Sequence, residues 1–376
     1  MRTAPILLVF CVAALAALGL VMITSASVGM ESARYLKSQS VWFGLGLAMC
    51  CIVAIPTYEW LRPLGWPVYA VALILLACVF IPGLTHEIKG ARRWIFIGGQ
   101  SFQPSEFAKL ALIIALAKYG EANHSRMGSF MHGALIPALI IGGILGLIFP
   151  EPDWGTTALL AAVSGVMLLV AGSRPAFFFP AMLAGTAAFI VAIMNNSVRS
   201  TRIMAWLHPE LYKDDKGYQA YQAMIAIGSG GVTGIGLGEG RTKLGFMPEH
   251  HTDFIFSVVG EELGLTVSLF VLLAYITIVI CGVVIAWNAR DRFGMLLACG
   301  LSFLIGLQAF INIGVVTAVL PNKGLALPFM SYGGTSLLCM FVAVGLLLNV
   351  ARHGRAPGER AGLPGRNLNP FSEVPA

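Results

Sequence analysis

The chain has 376 residues, of which 57% are hydrophobic and only 11% are charged. Soluble domains carry roughly 25% charged residues, so this composition, with a mean hydropathy of +0.81, excludes an ordinary soluble enzyme. The formal charge of +6 does not indicate nucleic acid, because no basic run interleaves with aromatic residues.

Apolar segments follow one another at residues 6–28, 38–57, 64–82, 105–119, 132–149, 155–171, 176–194, 254–287, 293–318 and 333–350. Most approach the ~18 residues that a membrane span requires. They predict an all-α, polytopic integral membrane protein of about ten transmembrane helices, with one membrane domain over residues 1–352. The first segment is longer than the ~7–15 apolar residues of a signal peptide. It therefore reads as an uncleaved helix, despite the small residues Ser25-Ala26-Ser27. The fourth is short and carries Glu106 and Lys109; if it did not span, every later segment would invert. Small-residue spacings such as Gly142 to Gly146 read as helix packing. Between the seventh and eighth segments, residues 195–252 form a loop too long for a connector, since structureless loops above ~15 residues are usually functional or disordered.

The eighth segment has 34 residues. As a helix it would extend about 51 Å at ~1.5 Å per residue, against a hydrocarbon core of ~30 Å. About a third of it is expected outside lipid or along a wet cavity, where Asp253, Glu261 and Glu262 stay hydrated. A carboxylate facing lipid would cost several kcal/mol. The tail, 353–376, is rich in Gly, Pro and Arg and is expected to be disordered. All seven cysteines sit inside apolar runs without a CxxC spacing, so they read as small core residues.

Lysine and arginine counts set the orientation. With the N-terminus inside, eleven basic residues fall on inner segments and six on short outer loops, while thirteen of eighteen carboxylates lie on or near the outer side. Both termini are then cytoplasmic and the 195–252 loop is extracytoplasmic.

Four polar islands lie beside helix ends on that outer side. In Gly90–Leu110, Pro104 suits a first helical turn, Glu106 complements the helix dipole, and Lys109 lies one turn on. A helix cap with a snorkelling lysine is the plainer reading of that trio, and Arg92-Arg93-Trp94 equally fits an interfacial anchor. In Pro150–Thr157, Asp153 could simply cap the next helix. The third island, Gly228–Phe254, contains Gly234-Ile235-Gly236, but no βαβ context supports a nucleotide fingerprint. Its His250, His251 and Asp253 make a poor metal site, since adjacent helical residues diverge by ~100°. No cofactor is specified, and a divalent cation stays open. The fourth, Leu320–Gly334, is rich in Pro and Gly with the single Lys323, and reads as re-entrant.

Together these islands resemble the SEDS family (shape, elongation, division and sporulation), the peptidoglycan polymerases that include FtsW and RodA. The resemblance rests on Arg93-Trp94-Ile95, Gln103-Pro104-Ser105-Glu106 with Lys109, and Pro152-Asp153 with Gly155-Thr156. It continues in Ala226–Gly231, Pro248-Glu249 with His251–Phe254, Gly260–Gly264 and Pro328–Gly334, and Lys323 is closer to the division branch, FtsW. Trp154 and His250 depart from the family pattern. The resemblance implies polymerisation of lipid II, in which a GlcNAc 4-hydroxyl attacks the anomeric carbon of a lipid-linked MurNAc with inversion. It makes Asp253 the catalytic carboxylate. It also implies a class B penicillin-binding protein and other divisome proteins as partners, at the septum of a bacterial inner membrane. The chemistry asks for one base and for cations on the departing diphosphate. Arg93, Lys109 and Lys323 are candidates for the cations, and Trp94 for a sugar or lipid platform. Glu249, Glu261 and Ser331 complete the expected substrate-binding set. A lipid II flippase, a scaffold for a transpeptidase and the elongation paralogue remain as alternatives.

Overall fold

In the computed structural model, residues 3–26, 32–81, 84–85, 93–97, 100–151, 153–180, 183, 185, 201, 204–208, 210–212, 217–241, 252–321 and 324–354 are described. Their helices are α1 (Thr3–Ala26), α2 (Ser32–Ala54), α3 (Leu61–Cys78), α4 (Pro104–Ala122), α5 (Ile136–Ile148) and α6 (Trp154–Ala171). Four more follow: α7 (Tyr218–Gly230), α8 (Ile255–Trp287), α9 (Arg292–Val316) and α10 (Gly334–Arg352). A hairpin of β1 (Ile95–Ile97) and β2 (Gln100–Phe102) precedes α4. Nine of the ten predicted apolar segments are thus helical; the seventh falls largely outside the described residues, as do the tail from 355 onward and much of the 195–252 loop.

Eight of these segments are long and apolar enough to cross a membrane. The fourth predicted segment, α4, is not among the eight because of its charges. It is nonetheless the most interior helix: the run Ala108 to Ala117 is buried on every side, with α3, α5, α6, α9 and α10 packed around it. Pro104 occupies its first turn with Glu106 behind it, as the dipole argument expects. Elsewhere α1 lies on α8, α2 on α10, and α8 on α9. Backbones approach closely where glycine permits, as at Gly345, where a side-chain carbon would lie 2.6 Å from the Cys50 carbonyl oxygen. Gly142 and Gly146 do not serve this purpose, since no described residue lies within 4 Å of where their Cβ would be.

The long α8 is not one continuous rod. Gly264, at φ 74° and ψ −173°, interrupts it. The 23 residues after the break, 265–287, span about 34 Å at ~1.5 Å per residue, close to the ~30 Å core with modest tilt. The expected overhang is therefore a separate short helix, folded against α7.

At the end of the bundle where α3 begins, Arg62 bridges Glu121 (3.0 Å) and Asp291 (2.6 Å), joining α3, α4 and the cap of α9. At the opposite end lie the N-termini of α4, α6, α8 and α10, and with them the four polar islands.

Candidate functional site

The fourth island is the hub. Its backbone between α9 and α10 is irregular, and side chains from several helices satisfy it. Asn312 Nδ2 donates to Leu325 O (2.6 Å) and Gln308 Nε2 to Ala326 O (2.8 Å). Tyr275 of α8 donates to Pro328 O, Gln39 of α2 to Ser331 O, and Leu327 N to Ser331 Oγ. Irregular backbone at membrane depth survives only where protein satisfies its polar groups, and these five bonds do so. Ser331 accordingly works here as a buried brace of the segment.

Each other island touches this hub. A side-chain carbon at Gly324 would come 2.6 Å from Asp253 Oδ2, and one at Gly155 would come 3.0 Å from Leu325. Thr335 accepts from Gln103 N and donates to Ser101 O, holding the hairpin against the start of α10. Asn312 Nδ2 also donates to the Asp253 carbonyl at 2.8 Å, which fixes the turn that presents the Asp253 side chain. Asp253 is half-buried, immediately before the N-terminus of α8.

Glu106, Glu261 and Glu262 are committed to other work. Lys109, fully buried at 0% exposure, lies 2.8 Å from a Glu106 carboxylate oxygen and donates to Gln308 Oε1 at 2.8 Å. The lysine neither snorkels nor faces an opening; it acts on the hub through Gln308. Glu261 and Glu262 are 3% and 1% exposed, so the expectation that they stay hydrated is corrected. Burial is tolerated because hydrogen bonds replace water. Glu262 accepts from Ser25 Oγ of α1 (2.6 and 2.8 Å), from Gly238 N (3.1 Å) and from Gly240 N (3.3 Å). Glu261 accepts from Arg241 N at 2.8 Å. The two acids thereby wrap the glycine-rich loop onto α8. Gly264 sits beneath that loop, where a side-chain carbon would lie 2.3 Å from Gly234 N.

In the second island Asp153 caps α6, with Oδ1 accepting from Thr156 N and Oδ2 from Thr156 Oγ1. Arg93, half-buried, donates from Nε to the Glu151 carbonyl at 2.8 Å, joining the first island to the second. Trp94 beside it is also half-buried. The Glu151 carboxyl is buried at 2% exposure, and among the described residues neither oxygen has a hydrogen-bond partner. Burial foremost, then the Asp153 charge, pushes its pKa up to about 8, against the lowering pull of Arg93.

Glu249, Lys323, Arg92 and the His250-His251 pair lie outside the described residues. Among the described residues no cluster of three or more His, Cys, Asp or Glu is arranged to hold a metal. Sequence reasoning passed over Gln308 and Asn312, which organise the hub. Their signal is two polar side chains at i,i+4 inside an otherwise apolar helix, where intramembrane polar groups usually mark function.

Nine long helices among the described residues, with polar groups of separate loops gathered around a braced re-entrant segment, define a polytopic membrane protein with a polar site at one end of its bundle. The chain belongs to the FtsW/RodA/SpoVE cell cycle protein family, whose model matches residues 5–356. A relative from Geobacter metallireducens, "Probable peptidoglycan glycosyltransferase FtsW", is 40% identical over 344 residues, covering 90% of this chain and 92% of its own. "Stage V sporulation protein E" of Bacillus subtilis is 38% identical, covering 94% of this chain and 99% of its own. Among solved structures, a chain from "Structural coordination of polymerization and crosslinking by a peptidoglycan synthase complex" superposes with a TM-score of 0.77 at 31% identity. That match covers 92% of this chain and 96% of the other. The rod shape determining protein RodA of Thermus thermophilus gives a TM-score of 0.70 at 30% identity, over 93% of this chain and 97% of its own.

Proposed function

We propose that this chain is a peptidoglycan glycosyltransferase that polymerises lipid II into β-1,4 glycan strands during septal wall synthesis. Family membership and the FtsW-named relatives support the reaction class. The observation that carries the mechanism is the contrast among the acids. Glu106, Glu261 and Glu262 are buried and engaged, whereas Asp253 is half-exposed beside Gly324, next in sequence to Lys323. Asp253 takes the proton of the acceptor 4-hydroxyl as its oxygen attacks the anomeric carbon of the donor. The bond to the diphosphate breaks, and the leaving group departs as an anion that needs no acid of its own. Arg93 and Lys323 hold that anion, Trp94 gives a platform for sugar or lipid, and Glu249 tunes Asp253. Lys109 contributes through Gln308, and Glu261 and Ser331 through the loops they brace. The site faces the extracytoplasmic side. The chain works beside a class B penicillin-binding protein, a reading supported by the neighbour described as coordinating polymerization with crosslinking.

The test is glycan-strand formation from lipid II by purified protein carrying Asp253→Asn, alongside a lipid II binding assay. A positioned base contributes ~10²–10⁴-fold in rate, so polymer should fall by that order while binding persists. Near-normal polymerisation by the variant would remove Asp253 from the role. A wild type that transports lipid II without polymerising it would make the protein a flippase.

A further inference from the structure

The end of the bundle opposite Asp253 carries charge that the reaction does not use. Its described acids are Glu59, Glu121 and Asp291, and Arg62 engages the last two. None of them pairs with Arg126 or Arg174, which are exposed and, among the described residues, make no side-chain hydrogen bond or ion pair. The fold nevertheless brings these two arginines together from separate loops. Arg126 ends a single helical turn, His124–Arg126, between α4 and α5, and the chain then bends back as Ser129 N donates to Arg126 O at 2.9 Å. Arg174 follows the left-handed cap of α6 at Gly172 and lies over the same bend. A side-chain carbon at Gly128 would come 3.9 Å from its Nε. The two loops are fastened before and after that arginine: Ser173 Oγ donates to Gly133 O at 3.0 Å, and Phe177 meets Phe130 edge to face at 5.7 Å. Arg292 of α9 contacts His124 and adds a further cation beside the turn.

Apolar surface adjoins these cations. Phe130, Met131 and Phe179 are 61%, 53% and 67% exposed, close to the ends of the spans Met131–Ile148 and Trp154–Ala171. Arg126 precedes the first of those spans and Arg174 follows the second. Both therefore sit at headgroup level, with the phenylalanines at the edge of the acyl chains. The crowding of basic residues on one membrane face accounts for the charge count here. It does not call for two unpaired arginines on fastened loops with an aromatic shelf beside them. A guanidinium fork matches phosphate oxygens, and basic pockets between spans take anionic headgroups. We propose that the 124–131 turn and residues 172–179 form a seat for one anionic phospholipid. Arg126 and Arg174 hold its phosphate, and its chains lie over Phe130 and Phe179. The seat is independent of the chemistry at Asp253 and of which leaflet this end meets.

The experiment is native mass spectrometry of the full-length protein in detergent, titrated with dioleoylphosphatidylglycerol, with dioleoylphosphatidylcholine, or with glycerol 3-phosphate as a soluble anion. Wild type is compared with Arg126→Gln/Arg174→Gln and with the control Lys118→Gln/Arg352→Gln. Lys118 and Arg352 bond the carbonyls of Pro63 and Ile55 at the same end, so the control removes the same charge outside the seat. Wild type should bind one phosphatidylglycerol about thirtyfold more tightly than phosphatidylcholine, each basic residue contributing about fivefold. The Arg126/Arg174 variant should lose that preference and the control should keep it. Both arginines are exposed, so folding should survive their replacement. Should it fail, a photoreactive phosphatidylglycerol crosslinked to wild type gives the same reading, with label expected within residues 124–131 and 172–179. Equal losses in the two double variants, or label confined to other loops, would mean a diffuse basic face and overturn the seat. Glycerol 3-phosphate binding as tightly as the lipid would make this a site for a soluble anion and overturn it as well.

Discussion

Asp253 and Glu262 lie nine residues apart in one acidic stretch, and their surroundings give them different work. Glu262 is an acceptor for three donors, the buried Ser25 Oγ and Gly240 N and the part-buried Gly238 N. Removing it strands those donors at ~1–3 kcal/mol for each unsatisfied group. Glu262→Ala should therefore lower the melting temperature in detergent and lose polymerisation with it, while Asp253→Asn should lose polymerisation at an unchanged melting temperature. Equal thermal losses in the two variants would contradict the division of labour. Glu151 gives a pH signature of its own. Its folded-state pKa, about 8, stands above its unfolded value, so between those values the folded protein holds more protons than the unfolded one. Stability then falls as pH rises toward 8. Relative to Glu151→Gln, the wild-type melting temperature should decline from pH 5 to pH 8 and level off above it. A constant offset between the two curves would show that Glu151 ionises normally.

At the scale of elements, two devices position the site: the buried Glu106–Lys109 pair in α4 and the break of α8 at Gly264. Removing one partner of a buried ion pair costs ~3–5 kcal/mol, because the other charge is left uncompensated, while replacing both is far milder. Lys109→Met or Glu106→Gln alone should unfold at clearly lower temperature than the double variant Glu106→Gln/Lys109→Met; additive losses would mean the pair is not coupled. Gly264→Ala faces a positive φ and a backbone nitrogen 2.3 Å from the new carbon, so a loss of several kcal/mol is expected from strain and overpacking together. A near-neutral effect would mean the break is not fixed by the glycine loop. The sequence announced α4 by Pro104 and Glu106 at its start, because caps are local. It did not announce the break, since nothing in the apolar run 254–287 says that residues 230–240 cross it. Chain length alone gave a surplus over one membrane crossing, which the break at Gly264 divides off as a short helix, but placed Glu261 and Glu262 in water when they are buried under a loop. Gln308 and Asn312 were legible as polar residues in an oily helix, but their partners, the carbonyls of Leu325 and Ala326, follow only from tertiary contact.

The whole molecule is a bundle whose two ends differ in charge architecture. One end carries the Arg62–Glu121–Asp291 bridge and the basic segments; the other carries the islands and Asp253. Hydropathy and the count of lysines and arginines made this polarity readable, because both follow from the bilayer as solvent. Which residues of the islands meet was not readable, since they are brought together by chain segments up to hundreds of residues apart, such as Ser25 with Glu262. The polymerase reading requires the Asp253 end to face outward, where cell wall is assembled. In a cysteine-free background, Glu239→Cys in the glycine loop and Ser125→Cys beyond α4 put single exposed thiols at the two ends. An impermeant thiol reagent applied to intact cells should label Glu239→Cys and spare Ser125→Cys until the membrane is opened. Neither site is engaged with Asp253, so labelling reports topology independently of catalysis. The reverse pattern would turn the site toward the cytoplasm, where glycan strands are not laid down, and the proposed reaction would lose its place.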